Sequence, residues 1–355
     1  MRISIAGLPG SGKSTLFSAL SGLQPPPPGQ PPSGKHAVAA VKVPDGRLEH
    51  LRGIFHPKKY TPADLEFRDF PGLPTSEGKG KGELLGALRE AEALLVCLRG
   101  FSEPSYPYDR PAPDPAADLR TLLDEFHLAD LGILEKRGER LRKDVTKPSR
   151  TQEADRRELA VLERLLKHLE EKGTLQDLAL KADEEALVRP FGFLTRKPLL
   201  PVLSLPEGGQ GAPGWPKALP IFGKLEAEIA ALPPEERGTF LKDYGIREPA
   251  SGRLIRAAYE LLGLISFFTM GEDEVRAWTI RRGDTAVVAA GRIHSDIAKG
   301  FVRAEAILFE DFKAAGSLAA ARAKGTLRLE GKEYLMRDGD CVNFRFTPPG
   351  AAAKP

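Results

Sequence analysis

Apolar and polar residues alternate over Met1-Arg2-Ile3-Ser4-Ile5-Ala6, which predicts a short strand with a buried face. After a glycine-rich stretch, Leu16-Phe17-Ser18-Ala19-Leu20 has the apolar spacing of a helix packed on that strand. Residues 37–43 and 65–70 read as further strands. Residues 93–98 form an unbroken apolar run, as expected of a parallel strand covered on both faces. Between the first helix and the second strand lies Gln24-Pro25-Pro26-Pro27-Pro28-Gly29-Gln30-Pro31-Pro32-Ser33-Gly34-Lys35. Proline lacks the N–H that helices and sheet ladders need, so this run predicts an exposed, partly disordered loop.

The pattern changes near residue 116. Leu119, Leu122, Leu123, Phe126, Leu128, Leu131, Ile133 and Leu134 fall close to helical spacing, with acids and bases between them. Residues 151–172 carry Leu159, Leu162, Leu165, Leu166 and Leu169 in the same way. Two long amphipathic helices joined by a polar turn make an antiparallel hairpin. Strand signals return at residues 198–204 and 218–222, around a Gly- and Pro-rich loop, so the hairpin reads as an insertion into an α/β domain. From residue 261 a third unit begins, with strands at 275–280, 302–307 and 341–346. The expected division is 1–115 with 184–260 for a discontinuous α/β domain, and 116–183 for the inserted arm. A small β-rich domain takes 261–347, and 348–355 form a disordered tail.

A chain of 355 residues has room for roughly two or three such units. Its formal charge of +3 permits nucleic-acid contact without demanding it. Cys97 and Cys341 stand far apart without metal or redox spacing and read as small buried hydrophobes. Few cysteines fit a reducing compartment. No apolar run reaches membrane-spanning length, and the first strand leads into a glycine turn rather than a signal-peptide cleavage region. These features describe a soluble cytoplasmic protein without a membrane partner.

The glycine-rich stretch supplies the chemistry. Gly7-Leu8-Pro9-Gly10-Ser11-Gly12-Lys13-Ser14-Thr15 fills every fixed position of the phosphate loop G-x-x-x-x-G-K-[ST], in the strand, turn, helix context that loop requires. The glycines let backbone N–H groups curl around anionic oxygens at the positive end of the helix. Lys13 can reach the β- and γ-phosphates, and the Ser14 hydroxyl can ligate Mg²⁺. Gly10, Ser11, Gly12, Lys13, Ser14 and Thr15 are therefore candidate contacts to ATP or GTP. Asp69-Phe70-Pro71-Gly72 follows a strand, at the D-x-x-G position of switch nucleotidases. There the Asp holds Mg²⁺ through water and the glycine N–H meets the γ-phosphate. Lys13 and Gly72 are the catalytic candidates. Leu73 stands where many such enzymes carry a water-orienting glutamine, so slow intrinsic turnover is expected.

Other tempting residues read as structural. His36, His50, His56, His127 and His168 are scattered without metal spacing. His294-Ser295-Asp296 reads as a turn. Arg276 and Trp278 offer a cation and an aromatic face suited to RNA, but a tryptophan in an alternating strand is more often core.

With these motifs the chain resembles the YchF/Obg-like ATPases over almost its whole length. The most specific runs are 264–279, Leu-Ile-Ser-Phe-Phe-Thr-Met-Gly-Glu-Asp-Glu-Val-Arg-Ala-Trp-Thr, then 289–296 and 299–305. Residues 43–48, 128–131 and 224–229 match as well. The resemblance implies a P-loop G domain with an inserted helical arm, followed by a β-grasp-like TGS domain. It also implies ATP-preferring hydrolysis and association with ribosomes or RNA; nothing suggests DNA, and the oligomeric state is left open.

The departures fall where the chemistry lies. Gly10 and Ser11 replace an Asn-Val pair, and in related potassium-activated nucleotidases that asparagine ligates the cation, so the resemblance leaves potassium stimulation open. Counting back from Val43-Pro44-Asp45 puts Ser33 at the family's metal-ligating threonine, inside the proline run. The N-x-x-E base motif aligns with Ser204-Leu205-Pro206-Glu207, which keeps Glu207 and shortens the asparagine to Ser204. The resemblance thus points to a Mg²⁺-dependent ATPase, with GTP as the second candidate substrate. The alternative is a degenerate member that binds ribosomes or RNA with weak or absent hydrolysis.

Overall fold

The structure is a computed structural model that describes residues 1–23, 36–75, 80–103, 108, 110–209, 218–244, 246 and 248–348. The proline run with Ser33, and tail residues 349–355, lie outside the described residues. The first stretch folds as β1 (Arg2–Ala6), α1 (Lys13–Ser21), β2 (Ala37–Lys42), α2 (Gly46–Phe55), β3 (Lys59–Thr61), β4 (Asp64–Asp69), α3 (Lys81–Arg89) and β5 (Ala93–Arg99). Next come α4 (Pro115–Asp144), α5 (Gln152–Lys172), α6 (Ala182–Val188), β6 (Leu199–Ser204), β7 (Leu219–Ile221), α7 (Gly223–Ala231) and α8 (Pro234–Asp243). After α9 (Ala250–Leu261) follow β8 (Leu264–Thr269), β9 (Glu274–Arg281), α10 (Ala286–Ile293), α11 (Ser295–Lys299) and β10 (Phe301–Leu308). The chain closes with α12 (Phe309–Ala315), α13 (Leu318–Ala323), β11 (Arg328–Glu330) and β12 (Asp340–Phe346).

Two compact units emerge, Met1–Ala40 with Glu66–Leu254, and Val41–Leu65 with Ile255–Pro355. The first is built on a sheet of order β2-β4-β1-β5-β6-β7. Strand β1 pairs in parallel with β4 and β5, and β5 with β6. Both faces of β5 are covered, which is why residues 93–98 could not alternate. Leu94, Val96 and Leu98 on one of its faces join Leu8, Phe70, Leu73, Leu122 and Phe126 in one core.

The helical arm belongs to this unit. Helix α4 starts cleanly because the Asp114 side chain accepts from the Ala117 N–H at 2.9 Å and Pro115 sits where no N–H is needed. Leu134 and Leu141 of α4 pack against Val161, Leu162, Leu165 and Leu169 of α5. Arg137 adds a two-pronged pair to Glu158, at 2.7 and 2.8 Å. At the arm's foot the fully buried Asp130 accepts from the Thr195 N–H and hydroxyl, both at 2.8 Å, and pairs with Arg89. A buried carboxylate persists only when satisfied in this way.

The second unit is a mixed sheet of order β11-β10-β12-β8-β9-β3. Helix α10 lays Ala286, Ala289 and Ala290 into a core with Ile265, Phe267, Ile280, Ala304 and Val342. The segment 41–65 was expected among residues 1–115 of the α/β domain, but it groups with this unit. The cause is physical: β3 extends the sheet edge, with Lys59, Tyr60 and Thr61 in parallel register with Glu274, Val275 and Arg276. From α2, Arg47 donates to Asp338 at 2.8 Å and lies 5.2 Å above the Phe268 ring.

Candidate nucleotide site

The turn from β1 into α1 places the phosphate loop at the carboxyl ends of the parallel strands, where open α/β sheets bind ligands. Gly12, at the N-cap of α1, has φ 95°, a left-handed conformation that a side chain would strain. A Cβ there would also lie 3.0 Å from the Ser204 hydroxyl. Gly72 is held still closer: a Cβ on it would sit 2.5 Å from the Pro9 nitrogen. The Leu73 N–H donates to the Gly7 carbonyl at 2.9 Å. The Asp69-Phe70-Pro71-Gly72 run therefore lies directly on the phosphate loop.

Lys13 is only 6% exposed, and its ammonium donates to the Leu8 carbonyl at 2.9 Å. Burial holds its pKa below the ordinary lysine value, against the opposing pull of Cys97 and Asp69. Asp69 is 1% exposed. Burial pushes its carboxyl above the usual range, while a hydrogen bond from Ser14 and the charge of Lys13 draw it back. Two buried atoms here, Ser11 Oγ and Asp69 Oδ1, have no hydrogen-bond partner. Unsatisfied oxygens cost free energy unless something polar or cationic meets them. The Ser14 hydroxyl and the Asp69 carboxylate supply oxygens of the kind that fits Mg²⁺, and the loop's backbone N–H groups fit phosphate.

The fold thus brings together Gly10, Ser11, Gly12, Lys13, Ser14, Asp69, Gly72 and Ser204. Thr15 turns its methyl toward Gly223, 3.2 Å from where a side chain on that glycine would begin. Ser204 is 5% exposed at the end of β6, whereas Glu207 lies exposed on the following turn. Leu73 is 1% exposed and belongs to the core, so its side chain orients no water.

One participant escaped the sequence reading. Arg99 ends the apolar strand β5 and is buried. It donates to the carbonyls of Gly10 at 3.3 Å, Phe101 at 3.1 Å and Glu103 at 3.1 Å. Its guanidinium lies 4.9 Å from the Phe101 ring centre and 4.7 Å from that of Tyr108. The Tyr108 hydroxyl donates to Asp118, buried in the first turn of α4, at 3.1 Å. Arg99 therefore links the phosphate loop to the root of the arm. An arginine closing an otherwise apolar strand was the available signal. Cys97 on the same strand donates to the Ser11 carbonyl at 3.2 Å, and burial pushes its thiol up to about 12.

The remaining candidates are accounted for locally. Cys97 and Cys341 are free and buried. His294 accepts from the Asp296 N–H at 3.2 Å, a turn contact. The Arg276 guanidinium lies 3.8 Å from the half-buried Trp278 ring centre, and the indole N–H donates to Thr269 at 2.9 Å. Among the described residues no cluster of metal-ligating side chains occurs, and no helix is long and apolar enough to cross a membrane.

The family model YchF-GTPase_C, described as "Protein of unknown function (DUF933)", matches residues 264–347. The ribosome-binding ATPase YchF of Escherichia coli O157:H7 is 39% identical over 363 residues, covering 96% of this chain and 98% of the relative. The ribosome-binding ATPase YchF of Bacillus subtilis (strain 168) is 36% identical over 366 residues, with the same coverage. The solved structure of the Schizosaccharomyces pombe YchF GTPase is 28% identical, with a TM-score of 0.80 and coverage of 97% of both chains. A P-loop α/β domain with an inserted arm, a matching C-terminal domain and end-to-end relatives at these identities lead to one conclusion: the chain belongs to the YchF family.

Proposed function

We propose that this chain is a Mg²⁺-dependent nucleoside-triphosphate hydrolase that prefers ATP and acts on ribosomes. The observation that carries the reading is the meeting of Lys13, Ser14 and Asp69 beneath the phosphate loop, with Ser11 Oγ and Asp69 Oδ1 buried and unpartnered. Relatives of the same length named ribosome-binding ATPases support both the reaction and the partner.

Lys13 leaves the Leu8 carbonyl to meet the β- and γ-phosphates, where burial strengthens its attraction for them. The loop amides bind the same oxygens at the N-terminus of α1. Ser14 and Asp69 would hold Mg²⁺, which when bound neutralises charge on the β- and γ-oxygens. Ser33 is the further metal candidate supplied by the family pattern. The Gly72 N–H binds the γ-phosphate and so reports its presence to the Asp69–Gly72 loop. Water attacks the γ-phosphorus in line as the bond to the β–γ bridging oxygen breaks, releasing phosphate and the nucleoside diphosphate; with Leu73 in the core, the water's orientation falls to backbone groups or to a partner. Turnover is accordingly slow without one. Ser204, beside Gly12, would face the base, and the exposed Glu207 would stand at its outer rim, without the carboxylate pairing that selects guanine.

Phosphate release from ATP and GTP, with Mg²⁺ and with chelator, tests this reading. Release should need the metal, favour ATP and fall about 10²-fold or more in Lys13→Ala. Equal release by wild type and Lys13→Ala would sink it.

A further inference from the structure

Charge is segregated along the helical arm. Residues 140–157, spanning the end of α4, the turn and the start of α5, hold seven Lys or Arg and three Asp or Glu. The rest of the two helices, 115–139 and 158–172, holds six basic and ten acidic residues. The arm is thus neutral as a whole, with its positive charge gathered at the tip.

The pairing follows the same division. On the shaft, Arg137 meets Glu158, Arg164 meets Glu184 and Lys167 meets Glu171. Near the tip Arg140, Arg142 and Arg157 have carboxylates in Asp144, Glu163 and Asp183. Lys143, Lys147, Arg150 and Arg156 are exposed and have no carboxylate within ion-pair distance among the described residues. Asp155, the sequence neighbour of Arg156, accepts instead from the Thr151 hydroxyl at 2.9 Å. The tip carries no exposed apolar anchor: Leu141 is buried, Val145 is half-buried, and the turn exposes Thr146, Pro148 and Ser149. Protein interfaces and membrane surfaces both take aromatic or aliphatic anchors. A phosphate backbone asks only for spaced cations.

We infer that the arm tip, through Lys143, Lys147, Arg150 and Arg156, is a docking surface for the phosphate backbone of RNA. This rests on the ribosome-binding reading above and names the part of the molecule that makes the contact. The tip stands about 40 Å along α4 from Asp118, so it reaches a partner distant from the nucleotide.

The test compares two exposed variants of equal net charge. One carries Lys143→Gln, Lys147→Gln, Arg150→Gln and Arg156→Gln; the other, on the shaft, carries Arg120→Gln, Lys136→Gln, Lys167→Gln and Lys172→Gln. Melting temperatures control for folding. Binding to purified ribosomes and to a short RNA duplex is measured over a salt series. The tip variant should lose about tenfold or more in affinity for both, with a salt slope shallower by at least about two, while the shaft variant stays near wild type. Unchanged binding by the tip variant, or equal loss in the shaft variant, overturns the inference. Tip-dependent binding to ribosomes without duplex binding assigns the tip to a protein and overturns its RNA identity. Tip-dependent duplex binding without ribosome binding upholds the tip and overturns the ribosome reading. A wild type that binds neither overturns both.

Discussion

Lys13 carries its charge in a place that resists it, and the consequence can be measured without any ligand. Burial lowers its pKa in the folded chain below 10.5, the value it has in water. Between the folded value and 10.5 the unfolded chain binds more protons than the folded one, so stability from this group rises with pH across that window. Below the folded value the benefit is gone. Lys13→Met removes the group, and thermal melts of the ligand-free protein across the alkaline range should lack that part of the rise. Parallel pH profiles for the two proteins would contradict the assigned burial effect. Lys13 and Ser14 were legible in the sequence because the phosphate loop is a local motif. Arg99 was not, because its meeting with Gly10 depends on β5 lying beside β1.

At the scale of elements, the decisive contact is between the Asp69–Gly72 loop and the phosphate loop. Gly72→Ala would drive a methyl to 2.5 Å from the Pro9 nitrogen, so one loop must shift. Overpacking of this kind costs about 1–3 kcal/mol, and here it displaces the amide assigned to the γ-phosphate. Calorimetric titration should show the variant losing its preference for a triphosphate over a diphosphate. An unchanged preference would remove Gly72 from the γ-phosphate contact. Spacing in the sequence showed both loops, and it showed the long helices α4 and α5 through their leucines. It did not show that α2 and β3 join the C-terminal unit. β3 is only three residues long, and its register with β9 is a contact between segments more than 200 residues apart, which no local period encodes.

For the whole molecule, a net charge of +3 says little, because opposite charges are sorted rather than mixed. The neutral arm hides a basic tip, and the phosphate loop hides a buried cation that only an anionic ligand would fully engage. Arg99 and Tyr108 run between the phosphate loop and the root of that arm, so the nucleotide site and the distal surface share one compact unit. The most direct test of the account is a calorimetric titration of the wild-type protein with ATP and with GTP in the presence of Mg²⁺, repeated on Lys13→Ala. Saturable binding, tighter for ATP, weakened by about tenfold or more in the variant, is the expected result. No detectable binding of either nucleotide to the wild type would contradict it.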